Sequence, residues 1–355
     1  MEPLVSILIP AYNAQSTIAE TINSALAQTW CRKEIIVVDD GSKDSTLSIA
    51  SGFASSGVIV LKKSNMGAAA SRNTAFSACS GDYIQWLDAD DLLAPDKISR
   101  QMTLVQEGLG NQTVLCGAWG QFYYRLRKAE FTPTDLWSDL APVEWLIHKF
   151  NGGAFMQTAA WLVSRELTEA AGPWDTRLLS DDDGEYFCRV VLKSNGTRFV
   201  PESRSYYRVP GSKTLSYIGS SGKKMEAHFL SMKLHINHLR AVENSDRVRA
   251  ASVNYLQHWL GFFYPERPDV VSEAENLARE LGGRLHPPGF TWKYAWIKTL
   301  FGWSAAKHFQ LRYNNWKNSG LRALDKALLP LERAHFQREH DSRHLTTKTS
   351  EPQIP

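Results

Sequence analysis

The sequence predicts an α/β protein: a mainly parallel, Rossmann-like sheet flanked by helices, with a C-terminal α-helical extension. Short apolar runs alternate with helix-like segments from Leu4 to Leu87, which is typical of strands joined by crossover helices. After Pro210 the pattern changes to longer helical segments. The 355 residues are 43% hydrophobic and 22% charged, as expected for a globular chain.

The first strand is Leu4–Ile9, whose near-continuous apolar character indicates burial on both faces. The next helix follows Thr17, which forms a capping-box pattern with Glu20. The remaining predictions in this half are strands Glu34–Val38, Val58–Leu61 and Tyr83–Leu87 and helices Ser45–Ala54 and Met66–Ala78. Helices Ser216–Ala251 and Val270–Leu281 are predicted further on. A boundary near Tyr217 therefore separates a domain 1–216, with halves 1–110 and 111–216, from a helical region 217–336 and a flexible tail 337–355.

The composition limits the classes of partner and the cellular compartments that the protein is expected to have. With 40 Lys and Arg against 37 Asp and Glu, the net charge of +3 is too balanced to require nucleic acid as a partner. The four cysteines are scattered without a Cys-x-x-Cys pair, which favours reduced thiols over a disulfide or zinc framework. The N-terminus shows no basic and apolar leader. We expect a cytoplasmic protein, which the C-terminal segment discussed below could place at the inner face of the cell membrane.

Polar clusters follow the predicted strands, where ligands bind to open parallel sheets. They are Pro10–Asn13, Asp39–Ser42, Asn65–Asn73 and Asp88–Asp91. Each alone is also a plausible turn. Together, their crowded carboxylates would repel one another unless a cation lies between them. Asp88 and Asp90, two residues apart, can face one Mg²⁺ or Mn²⁺, and Mg²⁺ commonly adds substrate phosphates to one or two carboxylates. A diphosphate ligand held through a divalent cation is therefore expected.

In this order and spacing the four motifs resemble the nucleotide-binding half of glycosyltransferase family 2, inverting enzymes with a GT-A fold that use nucleotide sugars. The resemblance implies that residues 1–110 bind the nucleotide sugar and that Asp90 and Asp88 bind the metal. Arg72 would face the base or the diphosphate, Asp40 would accept a hydrogen bond from the base, and Asp39 would hold the base or ribose. The remaining implied nucleotide-binding residues are Pro10, Ala11, Tyr12, Asn13, Asn65, Gly67, Asp88 and Ala89.

The second half of the domain carries the implied catalytic base. Gly172–Asp175 resembles a Gly-x-Phe-Asp turn of the family, and Asp182-Asp183 replaces its Glu-Asp ahead of Arg189. Asp183 is then the candidate base with Asp182 beside it, although the register among Asp181, Asp182 and Asp183 is open. These carboxylates could instead only stabilise a helix N-terminus. Trp161 and Trp174 could stack on the acceptor sugar or pack in the core.

The implied reaction is a metal-assisted single displacement by a glycosyltransferase of hexosyltransferase type. The sugar moves from a UDP-sugar, the donor most common in the family, to a hydroxyl of a saccharide or lipid-linked saccharide in glycan or polysaccharide synthesis. Many relatives have a His after Tyr-Arg that completes the metal site, whereas this chain reads Tyr206-Tyr207-Arg208-Val209. That departure keeps open a non-catalytic nucleotide-sugar or glycan-binding relative. The oligomeric state is not predicted.

Residues 284–333 are aromatic and basic, with nine Lys and Arg and two Asp and Glu. Trp292, Trp296, Leu300 and Trp303 fall on one helical stripe, and basic residues such as Lys307 accompany it. Such a segment can lie on an anionic membrane surface. It can equally pack on the catalytic domain or on a second subunit, and the sequence does not decide between these interpretations.

Overall fold

The computed structural model describes residues 2–209, 221–289 and 292–348, with the side chains of the last range from 296 to 331. The first part alternates strands and helices: β1 (Val5–Ala11), α1 (Ile18–Leu26), β2 (Lys33–Asp39), α2 (Thr46–Ser51), β3 (Val58–Lys62), α3 (Ala68–Ala78) and β4 (Tyr83–Trp86). The second part comprises β5 (Leu92–Leu93), α4 (Lys97–Gln106), β6 (Val114–Phe122), β7 (Glu130–Phe131), α5 (Pro142–Gly152), β8 (Trp161–Ser164), α6 (Arg165–Ala171), α7 (Asp182–Lys193) and β9 (Thr197–Arg208). Four helices follow: α8 (Gly222–Val242), α9 (Asp246–Phe263), α10 (Pro268–Glu280) and α11 (Trp292–Lys348).

The strands form one mixed sheet in the order β3-β2-β1-β4-β8-β6-β9-β5, with β7 paired to β6. β1 runs parallel to β2 and β4, and β2 runs parallel to β3, as the alternating pattern predicts. In the second half, β8 is antiparallel to β4 and β6, whereas β6 and β9 are parallel. The predicted α/β fold class is confirmed. Because β1, β2 and β4 are parallel, the segments that follow them meet at one edge of the sheet.

Two local predictions are wrong. The hydroxyl of Thr17 donates to the carbonyl of Ala14, 3.3 Å away, and makes no capping hydrogen bond to α1. The predicted helix Ser216–Ala251 is two helices, because the chain is extended at Glu243 and Ser245 between α8 and α9. The predicted domain boundary at 216/217 lies outside the described residues.

Helices α8, α9 and α10 share a hydrophobic core with the sheet. Phe229, Met232 and Ile236 of α8 are buried in the same cluster as Trp86 and Trp161 of the sheet. The C-terminal region therefore packs on the second part of the sheet domain through α8 and α9. None of the helices in the described ranges combines the length and apolar character needed to cross a lipid bilayer.

Helix α11 is interrupted at Gly302, whose φ of 83° and ψ of 174° are not helical. The interruption separates Trp303 from Trp296 and Leu300, so the predicted single stripe does not form. Trp303 instead donates its indole N–H to the carbonyl of Pro288, 3.1 Å away, and packs edge-on against Tyr264. The side chain of Trp292 lies outside those described. The backbone is helical to Lys348. The helix therefore includes residues 337–348, for which the sequence predicted a flexible tail.

Candidate functional site

The loops after β1 and β2 are joined at the edge of the sheet. Asn13, with a left-handed φ of 49°, donates its backbone N–H to the hydroxyl of Ser42 at 3.0 Å and accepts a hydrogen bond from the Lys43 backbone at 2.8 Å. Pro10 and Ala11 are buried at the end of β1, whereas Tyr12 is 46% exposed. Of the four predicted residues in this loop, Tyr12 and Asn13 are thus exposed, and Tyr12 is the one with an aromatic ring open to a ligand.

Asp39 ends β2 and Asp40 follows it, and both are buried. The carboxylate of Asp40 accepts hydrogen bonds from Lys63 at 2.6 Å and from the backbone N–H groups of Met66 and Gly67 at 3.0 and 2.8 Å. It therefore holds the loop before α3, which corrects the expectation of a carboxylate turned to a nucleotide base. Asp39 accepts from the Ser42 backbone through Oδ2, but its buried Oδ1 has no partner in the described part of the chain.

The loop held by Asp40 is open on its outer side. Asn65 is exposed, and Gly67 precedes α3 with a φ of 92°. No heavy atom lies within 4 Å of where a Cβ on Gly67 would point, so its backbone is accessible. Ala89, by contrast, is buried, and its carbonyl accepts a hydrogen bond from the Thr21 hydroxyl at 3.0 Å.

Arg72 joins the two halves of the domain. Its guanidinium donates to Asp88 at 2.7 Å and to Asp182 at 2.6 Å, and it lies 4.3 Å from the ring centroid of Trp174. The side chain is almost fully buried, and its Nε–H has no partner in the described ranges. In this structure Arg72 therefore holds two carboxylates together, and its expected contact with the base or the diphosphate stays a prediction.

Asp90 and Asp91 follow β4 in different environments. Asp91 is fully buried and accepts hydrogen bonds from Gln157 and from the backbone of Arg208. In the described ranges no other residue donates a hydrogen bond to the carboxylate of Asp90. Burial, followed by the charge of Asp88, raises the pKa of Asp90 to about 6. Ionisation of Asp90 is thus unfavourable in this environment, and a nearby cation would stabilise the ionised carboxylate.

The three consecutive aspartates at the start of α7 point to different partners. Asp181, with a left-handed φ of 56°, turns to α8, where the Ser231 hydroxyl donates to it at 2.7 Å. Asp182 is held by Arg72. Asp183 accepts one long hydrogen bond, from Thr158 at 3.3 Å. Burial, followed by the charges of Asp182 and Asp181, raises the pKa of Asp183 to about 7.

Comparison with known sequences identifies the family of this chain. The profile of glycosyl transferase family 2 matches residues 6–169. Glycosyltransferase GlyG of Streptococcus pneumoniae is 31% identical over 220 residues, which span 59% of this chain and 71% of that protein. The chain belongs to glycosyltransferase family 2.

Other relatives of this family 2 chain match a shorter stretch of its sequence, and the similar solved structure shows the fold alone. An Escherichia coli protein named UDP-Glc:alpha-D-GlcNAc-diphosphoundecaprenol beta-1,3-glucosyltransferase WfaP is 43% identical over 104 residues, 29% of this chain and 41% of that protein. The chain spans between 19% and 36% of the length of several uncharacterized Rickettsia glycosyltransferases. The crystal structure of S. aureus TarS 1-349 in complex with UDP-GlcNAc matches with a TM-score of 0.64 at 17% identity, covering 78% of this chain and 81% of that one.

Both candidate acceptor tryptophans of this family 2 chain lie in the core, which corrects the stacking hypothesis. Trp161 is fully buried and stacks on Phe187 with centroids 4.9 Å apart. Trp174 is 2% exposed and lies between Tyr186, stacked at 4.0 Å, and the guanidinium of Arg72. Neither ring offers a face to an acceptor sugar.

Four contacts of the site were missed from the sequence. Arg208 stands just before the place where relatives have His, and its Nε donates to the Asp90 carbonyl at 2.8 Å. Gln157 donates to Asp91. Ser231 of α8 fixes Asp181, and the buried ring of His235 lies 3.8 Å from the same carboxylate. The Tyr-Arg pair before the absent His was the one feature of the sequence that pointed to Arg208. No feature of the sequence indicated the contacts of α8 with Asp181.

Proposed function

We propose that the protein transfers a sugar from a nucleotide sugar, a UDP-sugar, to a hydroxyl of a saccharide or lipid-linked saccharide, with inversion at the anomeric carbon. The observation that carries this proposal is Asp183. It is a carboxylate with a pKa of about 7, placed beside the Asp88–Arg72–Asp182 network. A general base works best when its pKa is near the working pH. The donor and acceptor classes are supported by the UDP-sugar and lipid-linked acceptor in the name of WfaP and by the UDP-GlcNAc bound in the TarS complex, which describe those proteins.

The three aspartates have separate tasks in this proposal. Asp183 accepts the proton of the acceptor hydroxyl as its oxygen bonds to the anomeric carbon. The bond from that carbon to the diphosphate oxygen breaks, and its electron pair leaves with the nucleoside diphosphate. Asp182 is paired with Arg72, and its carboxylate lies next to Asp183. Asp181 is turned away and holds the loop on α8.

The donor would bind at the edge where β1, β2 and β4 end. Tyr12 offers an exposed ring, Asn65 and Gly67 offer an open polar loop, and the buried Oδ1 of Asp39 is an acceptor in need of a donor. A nucleoside contains both an aromatic base and N–H and O–H donors. We therefore assign the nucleoside end of the donor to these residues, with the diphosphate directed towards Asp88 and Asp90.

A divalent cation fits this site as part of the donor complex. No group of three or more His, Cys, Asp or Glu side chains that could hold a metal occurs in the described ranges. Two carboxylates, Asp88 and Asp90, are close enough to raise the pKa of Asp90. Mg²⁺ commonly takes one or two carboxylates and completes its shell with water and substrate phosphates. Asp90 and Asp88 would hold Mn²⁺ or Mg²⁺, which would neutralise charge on the departing diphosphate.

Sugar transfer and donor binding can be tested separately. Asp183→Asn should lower kcat by about 10²–10⁴-fold, the usual contribution of a general base, while the affinity for the nucleoside diphosphate is unchanged. Asp135→Asn, at an exposed aspartate, is the matched control. Transfer by Asp183→Asn at the wild-type rate would refute the assignment of the base.

Calorimetric titration with UDP, GDP and dTDP, each with and without Mn²⁺, tests the donor site. We expect one nucleotide, UDP, to bind more tightly with Mn²⁺, and Asp90→Ala to abolish the metal effect. Binding of a diphosphate without sugar transfer in an acceptor screen would favour a non-catalytic binding protein. Absence of binding to a folded sample would contradict the donor site itself.

A further inference from the structure

Helix α11 carries an apolar stripe after Gly302. We define the apolar stripe as Phe309, Tyr313, Trp316, Gly320, Leu324 and Leu331. Consecutive members are separated by four, three, four, four and seven residues, all close to whole turns of an α-helix. Because residues at these intervals share one face, the stripe runs straight along the helix. From its first to its last member it is about 33 Å long at 1.5 Å per residue.

The stripe is exposed to solvent. Trp316 is 74% exposed, Leu331 67% and Leu324 58%, which are large fractions for side chains of this kind. Tyr313 and Trp316, three residues apart, have ring centroids separated by 6.3 Å. A row of exposed aromatic and leucine side chains of this length marks a surface that binds something.

The opposite face of the helix is attached to the protein. Lys307 donates to the carbonyls of Phe262 and Tyr264 at 3.0 and 2.8 Å. Further along, Asp325 accepts hydrogen bonds from Tyr124 and Arg125. At about 100° per residue, Lys307 and Asp325 lie roughly opposite the centre of the stripe. The stripe is therefore directed away from the body of the molecule.

The charge around the stripe is positive. Residues 296–331 include six Lys and Arg and one acidic residue, Asp325, which is 8% exposed. Arg312 and Lys317 are exposed and lie on the two flanks of the stripe. No exposed carboxylate on this segment opposes them. The surface is thus apolar along its centre and cationic at its edges, which complements an anionic and apolar partner.

We propose that the apolar stripe and its flanking cations bind the surface of an anionic lipid bilayer, with the helix parallel to the membrane plane. Trp and Tyr prefer the depth of the lipid headgroups, and Lys and Arg on the flanks meet lipid phosphates. The membrane-binding surface is therefore residues 309–331 and not the stripe from Trp292 to Trp303 that the sequence predicted. It does not depend on the proposed sugar transfer.

A second copy of the chain fits this surface less well. Helices that pair through an apolar seam usually place opposite charges along its edges. Two copies of this helix would bring Arg312 and Lys317 against one another without an exposed carboxylate of the segment to pair with them. Repulsion between these cations would oppose the association of two copies. Anionic lipid phosphates would instead neutralise their charge.

Flotation of the full chain with vesicles tests the proposal. We expect binding to vesicles of phosphatidylglycerol and phosphatidylcholine and at least tenfold weaker binding to phosphatidylcholine alone. Trp316→Glu and Leu324→Glu should each reduce binding to the anionic vesicles at least tenfold. Leu311→Glu is the matched control, because it makes the same charge change at a leucine that is 42% exposed but lies off the stripe. It should retain most of the binding.

The flanking cations provide a second measurement. Arg312→Gln and Lys317→Gln should each weaken binding to anionic vesicles about fivefold, corresponding to about 1 kcal/mol per cation, and added salt should reduce that difference. Equal binding to both vesicle types, or equal loss in Leu311→Glu and Trp316→Glu, would overturn the proposal. So would self-association that Trp316→Glu abolishes in a chain that binds no vesicles, because the stripe would then be an interface between copies.

Discussion

The environment of Asp183 determines the pH dependence expected of the reaction. Burial and the neighbouring carboxylates raise the pKa of Asp183 to about 7, so the group is largely protonated at pH 5 and ionised at pH 9. A base acts only in its ionised form. We therefore expect kcat/KM to rise about tenfold per pH unit below about pH 7 and to level off above it. A profile of kcat/KM at constant ionic strength checks this.

The same profile distinguishes Asp183 from its neighbours. Asp182→Asn removes one of the charges that raise the pKa of Asp183, so it should move the acidic limb to lower pH in the residual activity. Asp135→Asn, at an exposed site, should leave the limb in place. A limb that is unchanged in Asp182→Asn would show that another group controls the profile.

Arg72 is expected to contribute to stability as well as to the site. Arg72→Met leaves the carboxylates of Asp88 and Asp182 together without their shared cation, and Asp182 is buried. Removing one partner of a buried ion pair typically costs about 3–5 kcal/mol. We expect a correspondingly lower urea midpoint for Arg72→Met. The double variant Arg72→Met with Asp182→Asn should recover part of the loss, and a midpoint equal to that of the wild type would contradict the assigned role.

At the scale of elements, the first turn of α7 requires Gly184. A Cβ at this position would lie 2.1 Å from Oδ1 of Asp181, which Ser231 holds against α8. Helix propensity alone would favour Ala by about 1 kcal/mol. Because the steric conflict opposes this gain, we expect Gly184→Ala to destabilise the protein by about 1–3 kcal/mol and to slow sugar transfer.

A glycine in another helix provides the control for Gly184→Ala. Gly152, the last residue of α5, has no heavy atom within 4 Å of its Cβ position. Gly152→Ala should be neutral or stabilising in the same urea titration. If both substitutions raise the midpoint, Asp181 moves without cost and does not position the loop.

The predictable elements are those whose signal is local. The strands and helices up to β4 follow short apolar runs ended by Pro, Gly and Asp, so their order and the edge carrying the polar motifs were readable. The contact of Arg72 with Asp182 joins residues 110 positions apart, and nothing local indicates it. The break at Gly302 was missed because a helical spacing of Trp and Leu continues across it.

At the scale of the molecule, the long helix α11 is held to the sheet domain by Asp325. Its carboxylate accepts hydrogen bonds from the backbone of Tyr124 at 2.8 Å and of Arg125 at 3.0 Å, and it pairs with the Arg125 side chain at 2.7 Å. These donors lie just after β6, whose pairing with β9 leads to Arg208 beside Asp90. The orientation of the apolar stripe is therefore linked to the domain that holds the candidate site.

Loss of that carboxylate should release the helix without unfolding the domain. Hydrogen bonds to a charged group contribute about 1.5–3 kcal/mol, so Asp325→Ala should make amide hydrogen exchange in residues 311–331 at least tenfold faster. Asn318→Ala, at an exposed position on the same helix, should change exchange little. Exchange in β1 and β2 should stay at wild-type rates, because their hydrogen bonds are within the sheet core. If exchange in 311–331 is unchanged in Asp325→Ala, the helix is held by its other contacts, such as Lys307 with Glu266, and the carboxylate only satisfies two backbone donors.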